Sequence, residues 1–409
     1  MKALHIVILS DFAYVNGGSS AVALAGAEGL ARRGHFVTLL SAVGSTSLPA
    51  RTDRLRVVST NQQEILKEPS RLRAIVQGTW NVPAARTLRP LFQELDPART
   101  IVHVHSWTQA LSSSVIRTAL DARFRVVCTL HDYFAVCPNG TFFNHQQNQI
   151  CHLRPMSASC IACHCDKRSY VHKLWRVARQ AVQSRAGGMP TRIRHFIVVS
   201  EFSRSIMAPY LPPSAKIYRV PNPIQVSPGP PTPVARNSTF AMVGSISEGK
   251  GAHLFANAAR ALGCEALFVG DGSGIPGVVE LYPGSRITGW VSRERVTDYL
   301  RTARVLVFPS LWYETEGLSV IEAAALGVPA IVSDQSAARL SIVDGVTGMC
   351  FTGGDEQDLI KKMRAMLDDT MVSRMGQAAH ARYWEDSRTL DRHVSDLESV
   401  YKDMLARPV

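Results

Sequence analysis

The chain has 409 residues, of which 46% are hydrophobic and 19% are charged. This length predicts two or three domains, since a domain averages roughly 150 residues. No apolar run approaches the ~20 residues of a membrane-spanning helix, and the apolar opening, residues 1–12, is too short for a secretion signal, so we expect a cytoplasmic protein.

The net charge of +12 is unevenly distributed. Residues 1–225 contain 27 Lys and Arg against 11 Asp and Glu, whereas residues 226–409 contain 18 against 22. A basic half favours an anionic partner. Because zinc-finger spacing and aromatic-basic RNA-binding motifs are absent, we expect no nucleic acid. The segment 167–194 mixes cations with aromatic residues and favours peripheral contact with an anionic membrane, with a solvated basic face as the alternative.

Short β-branched runs alternate with segments of helical periodicity along the chain. The predicted strands of the first half are residues 3–9, 36–42, 101–106, 125–132 and 196–200. Near-continuous apolar strands that alternate with helices are typical of parallel sheets covered on both faces. The same alternation begins again after a proline-rich connector, residues 220–238, so the sequence predicts two doubly wound α/β domains in tandem.

The predicted bounds follow from that connector. Residues 1–222 form the first domain, which includes a cysteine-rich segment at 137–165, and residues 223–385 form the second. Residues 386–409 are predicted to form a final helix that packs back on the first domain. Ligands of open α/β sheets lie beyond the carboxyl ends of the strands, so we expect the site in a cleft between the domains.

Five of the eight cysteines fall within the cysteine-rich segment. Cys137 and Cys151, together with the C-x-x-C pair Cys160 and Cys163, can supply the four thiolates of a structural zinc site. Reduced thiols without a metal, and a disulfide or redox role, are the alternatives.

Three predicted strand ends in the first half carry candidate ligand-binding residues. Gly17 and Gly18 lie in the turn after the first strand, where backbone can approach a ligand and the next helix favours negative charge. A tight turn without a ligand would use the same residues. His105 and His131 follow two later strands, and a neutral imidazole there can donate to a sugar hydroxyl or a phosphate, although a structural histidine is the alternative.

Two loops of the second half carry further candidates. Lys250 opens a predicted helix and is placed to bind a diphosphate. Trp290 follows a later strand and either lines a base pocket or belongs to the core.

The stretch FPSLWYETEGLSVIEAAALGVPA, residues 308–330, reads as strand, loop and helix. It places Glu314 in the loop and Glu322 in the first turns of the helix, and two carboxylates suit a ligand rich in hydroxyl groups. Between them, the backbone N–H groups of Glu316, Gly317 and Leu318 can hold an anion. Ser319-x-x-Glu322 also has the spacing of a capping box.

This ordered array resembles glycosyltransferase family 4, whose members are retaining nucleotide-sugar transferases with the GT-B fold. The matching segments cover nearly the whole chain: GG at 17–18, LARRGHFVTLL at 30–40, LHD at 130–132, VSEFSR at 199–204, VPNPI at 220–224, GSISEGKG at 244–251, VGDGS at 269–273, GWV at 289–291, FPS and E-x7-E at 308–322, and ALGVPAIVSD at 325–334. The resemblance implies two Rossmann-like domains that face each other across a cleft, the first on the acceptor side and the second binding the nucleotide sugar.

The resemblance also implies roles for individual residues. Glu322 would bind the ribose hydroxyls and Glu314 the donor sugar. Lys250 and the backbone at 316–318 would hold the diphosphate, His131 would lie near the reacting sugar, and Gly17 with Gly18 would face the donor phosphate and the acceptor. No catalytic metal is expected.

One position departs from the family pattern. The family motif is G-R-x-x-x-x-K-G, in which the arginine would contact the diphosphate. Ser245 occupies the position of that arginine in this chain. Loss of that cation could cost roughly a few kcal/mol of transition-state stabilisation. Another basic residue substitutes for it, or the protein is slow or degenerate.

The predicted function is a retaining glycosyltransferase that uses a UDP- or GDP-sugar and a glycan or lipid-linked acceptor. We expect it to act in cell-envelope polysaccharide or glycolipid synthesis, at the inner face of the membrane. The alternatives are a degenerate sugar-nucleotide-binding subunit of a glycosylation complex and a sugar-nucleotide epimerase of the same fold.

Overall fold

The computed structural model describes residues 3–44 and 53–406. Its strands in chain order are β1 (His5–Phe12), β2 (Phe36–Val43), β3 (Leu55–Ser59), β4 (Thr100–Val104), β5 (Arg125–Leu130), β6 (Phe143–Asn144), β7 (Gln149–Ile150), β8 (His195–Val198), β9 (Lys216–Arg219), β10 (Thr239–Val243), β11 (Ala266–Val269), β12 (Arg286–Ile287), β13 (Ala303–Phe308), β14 (Ala330–Ser333) and β15 (Gly348–Phe351).

The α-helices in chain order are α1 (Gly18–Arg32), α2 (Arg71–Thr79), α3 (Val82–Gln93), α4 (Ser114–Asp121), α5 (Ala158–Ala162), α6 (Tyr170–Val182), α7 (Glu201–Met207), α8 (Ala252–Leu262), α9 (Ile275–Leu281), α10 (Arg293–Thr302), α11 (Leu318–Ala325), α12 (Glu356–Ala365), α13 (Asp369–Glu385) and α14 (Leu390–Leu405). Short 3₁₀ turns are Ala208–Tyr210, Val234–Arg236, Glu248–Lys250 and Ala337–Ser341, and Gln183–Gly187 is a π-helical turn.

The chain divides into two compact units. The first takes the described residues of Met1–Thr141, His152–Pro223 and Arg388–Val409, and the second takes Phe142–Cys151 and Ile224–Ser387. No helix in the described part of the chain is long and apolar enough to cross a membrane.

The first unit is built on a seven-stranded parallel sheet in the order β3-β2-β1-β4-β5-β8-β9. The central strand β1 is buried along nearly its whole length, as a strand covered on both faces must be. Because β1, β4 and β5 are neighbours, the loops that follow them emerge side by side. The sequence interpretation did not include β3 and β9, which are edge strands with partly exposed residues and so have no continuous apolar run.

The helix α14 packs on α1 in the core of the first unit. Its buried residues include Val394, Leu397 and Tyr401, which belong to the same hydrophobic cluster as the apolar side chains of α1. The two helices approach closely at Gly29, where a Cβ atom would lie 2.5 Å from Val394 Cγ2. The last helix of the chain is therefore part of the first unit.

The second unit is built on a six-stranded parallel sheet in the order β12-β11-β10-β13-β14-β15. Its strands β10, β11, β13 and β14 are almost completely buried. Two doubly wound α/β domains were the predicted fold class, and this class is confirmed.

A short antiparallel hairpin, β6–β7, also belongs to the second unit. The sequence interpretation placed residues 142–151 in the first domain together with the rest of the cysteine-rich segment. The structure differs because Phe143, which is 1% exposed, is part of the second unit's hydrophobic core. The segment contributes its apolar side chain there, whereas the chain on either side of it belongs to the first unit.

Candidate active site

The loop between β10 and α8 brings Lys250 to the carboxyl edge of the second sheet. Gly251, which follows Lys250, has φ +72 and serves as the N-cap of α8. A Cβ atom at this position would lie 2.0 Å from the carbonyl oxygen of Pro309, so only glycine allows the two loops to approach this closely. The approach places Lys250 beside the loop that follows β13.

The carboxylate of Glu314 is held by three donors on a single oxygen. Its Oε1 accepts from the Ser310 hydroxyl at 2.8 Å and from the Trp312 indole N–H at 2.7 Å, and it contacts Lys250 Nζ. The ammonium of Lys250 also lies 5.0 Å from the centre of the Trp312 ring, within cation–π range. In the described part of the chain the other oxygen, Oε2, accepts no hydrogen bond. This oxygen is therefore the one that can accept a hydrogen bond from a ligand.

Trp312 is supported by the hairpin from the cysteine-rich segment. Phe143 and His145 meet the indole edge-on, with ring centres 6.0 and 5.7 Å away. Beneath the indole, Gly249 leaves no room for a side chain, since a Cβ there would lie 2.8 Å from Trp312 Cε3. The indole is therefore fixed from several sides.

Glu322 lies on α11 and forms an ion pair with Arg293, the first residue of α10. Arg293 donates from Nε at 3.2 Å and from Nη2 at 3.0 Å to the Oε1 of Glu322. Burial raises the pKa of Glu322, and the charge of Arg293 opposes that rise. The alternative interpretation of Glu322 as part of a capping box is wrong, because α11 begins at Leu318 with Gly317 as its N-cap and no side-chain cap bond.

Residues 316–318 form the start of α11. Glu316 is buried, and the first N–H groups of a helix have no partner within the helix. Two other predicted residues, Ser245 and Trp290, lie on loops after β10 and β12 and are exposed. Trp290 is 72% exposed, so its interpretation as a core residue is wrong.

The first unit brings His105 and His131 together at the carboxyl ends of β4 and β5. Nδ1 of His105 lies 3.0 Å from Nε2 of His131. A third histidine, His103 in β4, packs against His105 with the rings tilted by 36° and their centres 4.1 Å apart, and it is hydrogen-bonded to Tyr401 and Thr129. Burial lowers the pKa of both His131 and His103 to about 3, and that of His105 well below its usual value, so all three rings are neutral at pH 7.

Two acids next to this cluster, the buried Asp11 and the half-buried Asp132, shape the surrounding loops. Asp11 at the end of β1 accepts N–H bonds from three successive residues of the loop after His105, Gln109, Ala110 and Leu111. Asp132 accepts from the N–H of Phe134 at 2.9 Å, so it starts a turn, and burial raises its pKa to about 6.

Gly17 and Gly18 lie at the start of α1. Gly17 has φ +135 and is the N-cap, with no side-chain cap bond; apart from its chain neighbours, no atom of the described residues lies within 4 Å of the place of its missing Cβ. Ser20 does not cap the helix; it accepts from the N–H of Asn16 and donates to the carbonyl of Gly17. The backbone of this turn is therefore open on its outer side.

The cysteines do not form the predicted zinc site. Within residues 3–44 and 53–406, no group of three or more His, Cys, Asp or Glu side chains is arranged to hold a metal ion. Cys160 instead contacts the amine of Lys173, together with Cys165. The arrangement of Cys137, Cys151, Cys160 and Cys163 gives the zinc prediction no support.

Models of two known families match this chain. The model described as Glycosyltransferase Family 4 matches residues 16–227, more than half of the chain, and the model described as Glycosyl transferases group 1 matches residues 237–369. The chain belongs to glycosyltransferase family 4. The predicted family and enzyme class are confirmed at this level.

Solved structures resemble this family 4 chain along its length. Sucrose-phosphate synthase from Thermosynechococcus elongatus has a TM-score of 0.74 at 17% identity, covering 98% of this chain and 99% of its own. HepE of Anabaena, in complex with UDP and glucose, has a TM-score of 0.69 at 15% identity over 98% and 100% of the chains. The catalytic domain of starch synthase IV from Arabidopsis thaliana, bound to ADP and acarbose, has 0.68 at 14% identity over 99% and 100%. This likeness shows the fold, which is GT-B.

Curated relatives match a smaller part of the family 4 chain. The D-inositol 3-phosphate glycosyltransferase of Streptomyces avermitilis is 38% identical over 96 residues, 23% of this chain and 20% of that protein. The protein of the same name from Nocardiopsis dassonvillei is 30% identical over 132 residues, 32% of this chain and 28% of that protein. The matched region thus spans 20% and 28% of the length of these two relatives.

Several residues that contact the candidate site residues of this family 4 chain were not predicted from the sequence. Trp312 and Ser310 stand in the same stretch as Glu314, and an indole two residues before a loop carboxylate is a signal that could have drawn attention to them. Arg293 and His103 offered no comparable signal, because their partners lie 29 and 298 residues away in the sequence.

Proposed function

We propose that the chain is a retaining glycosyltransferase that moves a sugar from a nucleoside-diphosphate sugar to a hydroxyl of a glycan or lipid-linked acceptor. The observation that carries this proposal is the arrangement of Lys250 and Glu314 at the carboxyl edge of the second sheet. The ammonium of Lys250 suits a diphosphate, and the carboxylate of Glu314, oriented by the donors Ser310 and Trp312, suits a sugar hydroxyl. Together they suit a ligand that joins a diphosphate to a sugar.

The donor would be bound by groups of the second unit. Lys250 exchanges its contact with Glu314 for the diphosphate, and the N–H groups of residues 316–318 bind a phosphate oxygen at the start of α11. Glu322, oriented by Arg293, accepts from the ribose hydroxyls. The complexes of HepE with UDP-glucose and of starch synthase IV with ADP support a nucleoside diphosphate as the common part of the donor.

The reaction would proceed by attack on the face of the sugar from which the diphosphate leaves. The acceptor oxygen bonds to the anomeric carbon, the bond from that carbon to the phosphate oxygen breaks, and the phosphate oxygen takes the acceptor proton. Lys250 stabilises the charge that develops on the leaving phosphate. Glu314 accepts from a sugar hydroxyl through Oε2, and the neutral imidazole of His131 donates to the reacting sugar.

The acceptor is proposed from the charge of the first half of the chain. Residues 1–225 contain 27 Lys and Arg against 11 Asp and Glu. This excess of positive charge suits an anionic acceptor or an anionic membrane that carries the acceptor. A lipid-linked glycan of cell-envelope synthesis meets this requirement. A phosphorylated polyol meets it too, and the name D-inositol 3-phosphate glycosyltransferase of the curated relatives favours that second candidate.

A thermal-shift panel of UDP-, GDP- and ADP-sugars tests the donor site. We expect one base class to raise the Tm of the wild type, with the shift weakened in Glu322→Ala and retained in Glu280→Ala, an exposed glutamate of α9. Equal shifts in all three proteins would contradict the role of Glu322. Donor turnover then separates the alternatives, because an epimerase isomerises the sugar nucleotide without acceptor and a degenerate subunit binds it without turnover.

A further inference from the structure

Lys173 is a buried amine whose neighbours are thiols. The side chain lies on α6 with 1% of the residue exposed. Its Nζ is 3.2 Å from Sγ of Cys165 and 3.7 Å from Sγ of Cys160. Lysine is almost never fully buried unless it is paired, and among the described residues no carboxylate forms an ion pair with Lys173. Pairing with a carboxylate therefore does not account for the burial of this amine.

The contact between Lys173 and Cys165 is held from both sides. Asn139 donates from Nδ2 to the carbonyl of Cys165 at 2.9 Å. The next residue, Asp166, is fully buried; it accepts from His172 at 2.9 Å and forms an ion pair with Arg176 at 3.1 Å, both on the same helix as Lys173. The sulfur and the nitrogen therefore belong to one rigid frame, and their separation is a property of that frame.

We propose that Cys165 and Lys173 form an oxidative cross-link in which one oxygen atom bridges Sγ and Nζ. At 3.2 Å the two atoms can accept a bridging oxygen with little movement, whereas a direct sulfur–nitrogen bond would require them to close much further. Cys165 is the partner rather than Cys160 because its sulfur is nearer to the amine.

Peroxide is the oxidant that the link requires. One hydrogen peroxide converts the thiol to a sulfenic acid and releases one water. The ammonium of Lys173 first releases one proton to water; a second peroxide then oxidises the sulfenic acid and the neutral amine together, so that the S–O–N bridge forms and two waters leave. In total the linked pair gains one oxygen, and the thiol and the amine each lose one hydrogen. The four electrons that are removed reduce the two peroxides. A thiol reductant reverses the link.

The link would fasten the start of α6 to the cysteine-rich segment. The same helix carries Arg179, which donates to the carbonyl of Thr108 at 3.0 Å in the loop after β4. Oxidation would therefore stiffen the part of the first unit that follows His105. We expect the oxidised protein to melt a few degrees higher than the reduced protein, because a cross-link constrains the unfolded chain.

Mass spectrometry of the folded wild-type chain, treated with hydrogen peroxide, tests the proposal directly. We expect a mass gain of about 14 Da, one oxygen gained and two hydrogens lost, that a thiol reductant removes. Trypsin cuts after Lys167 and Arg168, between the two partners, so the link appears as a joined pair of peptides. Separate peptides after oxidation, or a Cys160–Cys165 disulfide that loses two hydrogens and gains no oxygen, would overturn it.

Variants identify the two residues that form the link. Cys160→Ser should retain the joined peptides, whereas Cys165→Ser and Lys173→Arg should lose both the peptides and the rise in Tm on oxidation. A link that survives in Cys165→Ser would overturn the choice of partner. Because the wild type is measured alone first, the result stands even if a variant does not fold.

Discussion

The carboxylate of Glu314 is fixed by its neighbours before any ligand is considered. Ser310 and Trp312 both donate to Oε1, and Lys250 contacts the same oxygen. Hydrogen bonds to a charged group contribute about 1.5–3 kcal/mol each, so two neutral donors can hold the carboxylate even when Lys250 turns to a phosphate. The orientation of this side chain is thus independent of the ion pair.

Replacing Trp312 by phenylalanine tests that independence. Trp312→Phe removes the indole N–H but retains an aromatic face for Lys250 and an edge for Phe143. We expect kcat/KM for the sugar donor to fall about tenfold, which corresponds to ~1.4 kcal/mol, while affinity for the nucleoside diphosphate changes less than about twofold.

Trp384→Phe is the matched control, because it removes an indole bond to the carbonyl of Ala325, away from the carboxylate. It should leave kcat/KM unchanged. A parallel loss of donor turnover and diphosphate affinity in Trp312→Phe would mean that the indole only supports the fold.

The pair of Arg293 and Glu322 makes a second prediction at the scale of single residues. Arg293→Ala leaves a carboxylate that is only 12% exposed without its cation, and we expect the free energy of unfolding in urea to fall by roughly 1–3 kcal/mol. Arg295→Ala, on the same helix, breaks an exposed pair with Asp298 and should cost less than about 1 kcal/mol. Equal losses would show that Glu322 is not held by Arg293.

At the scale of elements, the helices that carry candidate site residues begin differently from the others. The N-caps of α1, α8 and α11 are glycines at positive φ without a side-chain cap bond. Eight other helices begin with a Ser, Thr, Asp or Asn side chain that accepts an N–H of the first turn: α2, α3, α5, α6, α7, α12, α13 and α14. These three helices with glycine N-caps give up only a few tenths of a kcal/mol each relative to a side-chain cap, and they retain N–H groups that can bind an anion.

The two ends of α8 separate these effects. Gly251 at its start and Gly263 at its end have similar φ values, +72 and +65, but only Gly251 has backbone atoms where a Cβ would lie. We expect Gly263→Ala to cost about 1 kcal/mol from backbone strain alone. Gly251→Ala should cost roughly 3 kcal/mol or more and abolish donor binding, because Lys250 moves with the loop. Similar losses of stability in the two variants would contradict the close approach to Pro309.

At the scale of the whole molecule, stability should depend on pH through the buried histidines of the first unit. His103 and His131 have pKa values of about 3 when folded and about 6.5 when unfolded, so the unfolded chain binds more protons between these values. Stability is therefore full above pH 6.5 and is lost as the pH falls through this window. Asp132, with its pKa raised to about 6, acts in the opposite sense between about pH 4 and 6.

Urea unfolding at several pH values measures the balance. Burial also raises the pKa of Asp11 and Glu322, but six histidines of the described residues have a lowered pKa, so we expect the free energy of unfolding to fall between pH 6.5 and 5. Asp132→Asn removes one of the opposing acids and should make the fall steeper. A free energy that stays flat or rises on acidification would contradict neutral burial of the histidines.

The sequence by itself determined the two α/β domains, the family, and the placement of Lys250, Glu314 and Glu322 on loops and a helix start. These features depend on local periodicity and on residues close together in the chain, which a single sequence displays. His105 and His131 were also found this way, because each directly follows an apolar strand.

Only the tertiary structure decided which distant residues complete these sites. The hairpin at 142–151 lies with the second unit, where Phe143 packs on Trp312. Two of the cysteines, Cys160 and Cys165, contact the amine of Lys173. Arg293 reaches Glu322, and Tyr401 of α14 reaches His103. Such contacts arise from the packing of side chains far apart in the sequence, and no local pattern of hydrophobicity or spacing encodes them.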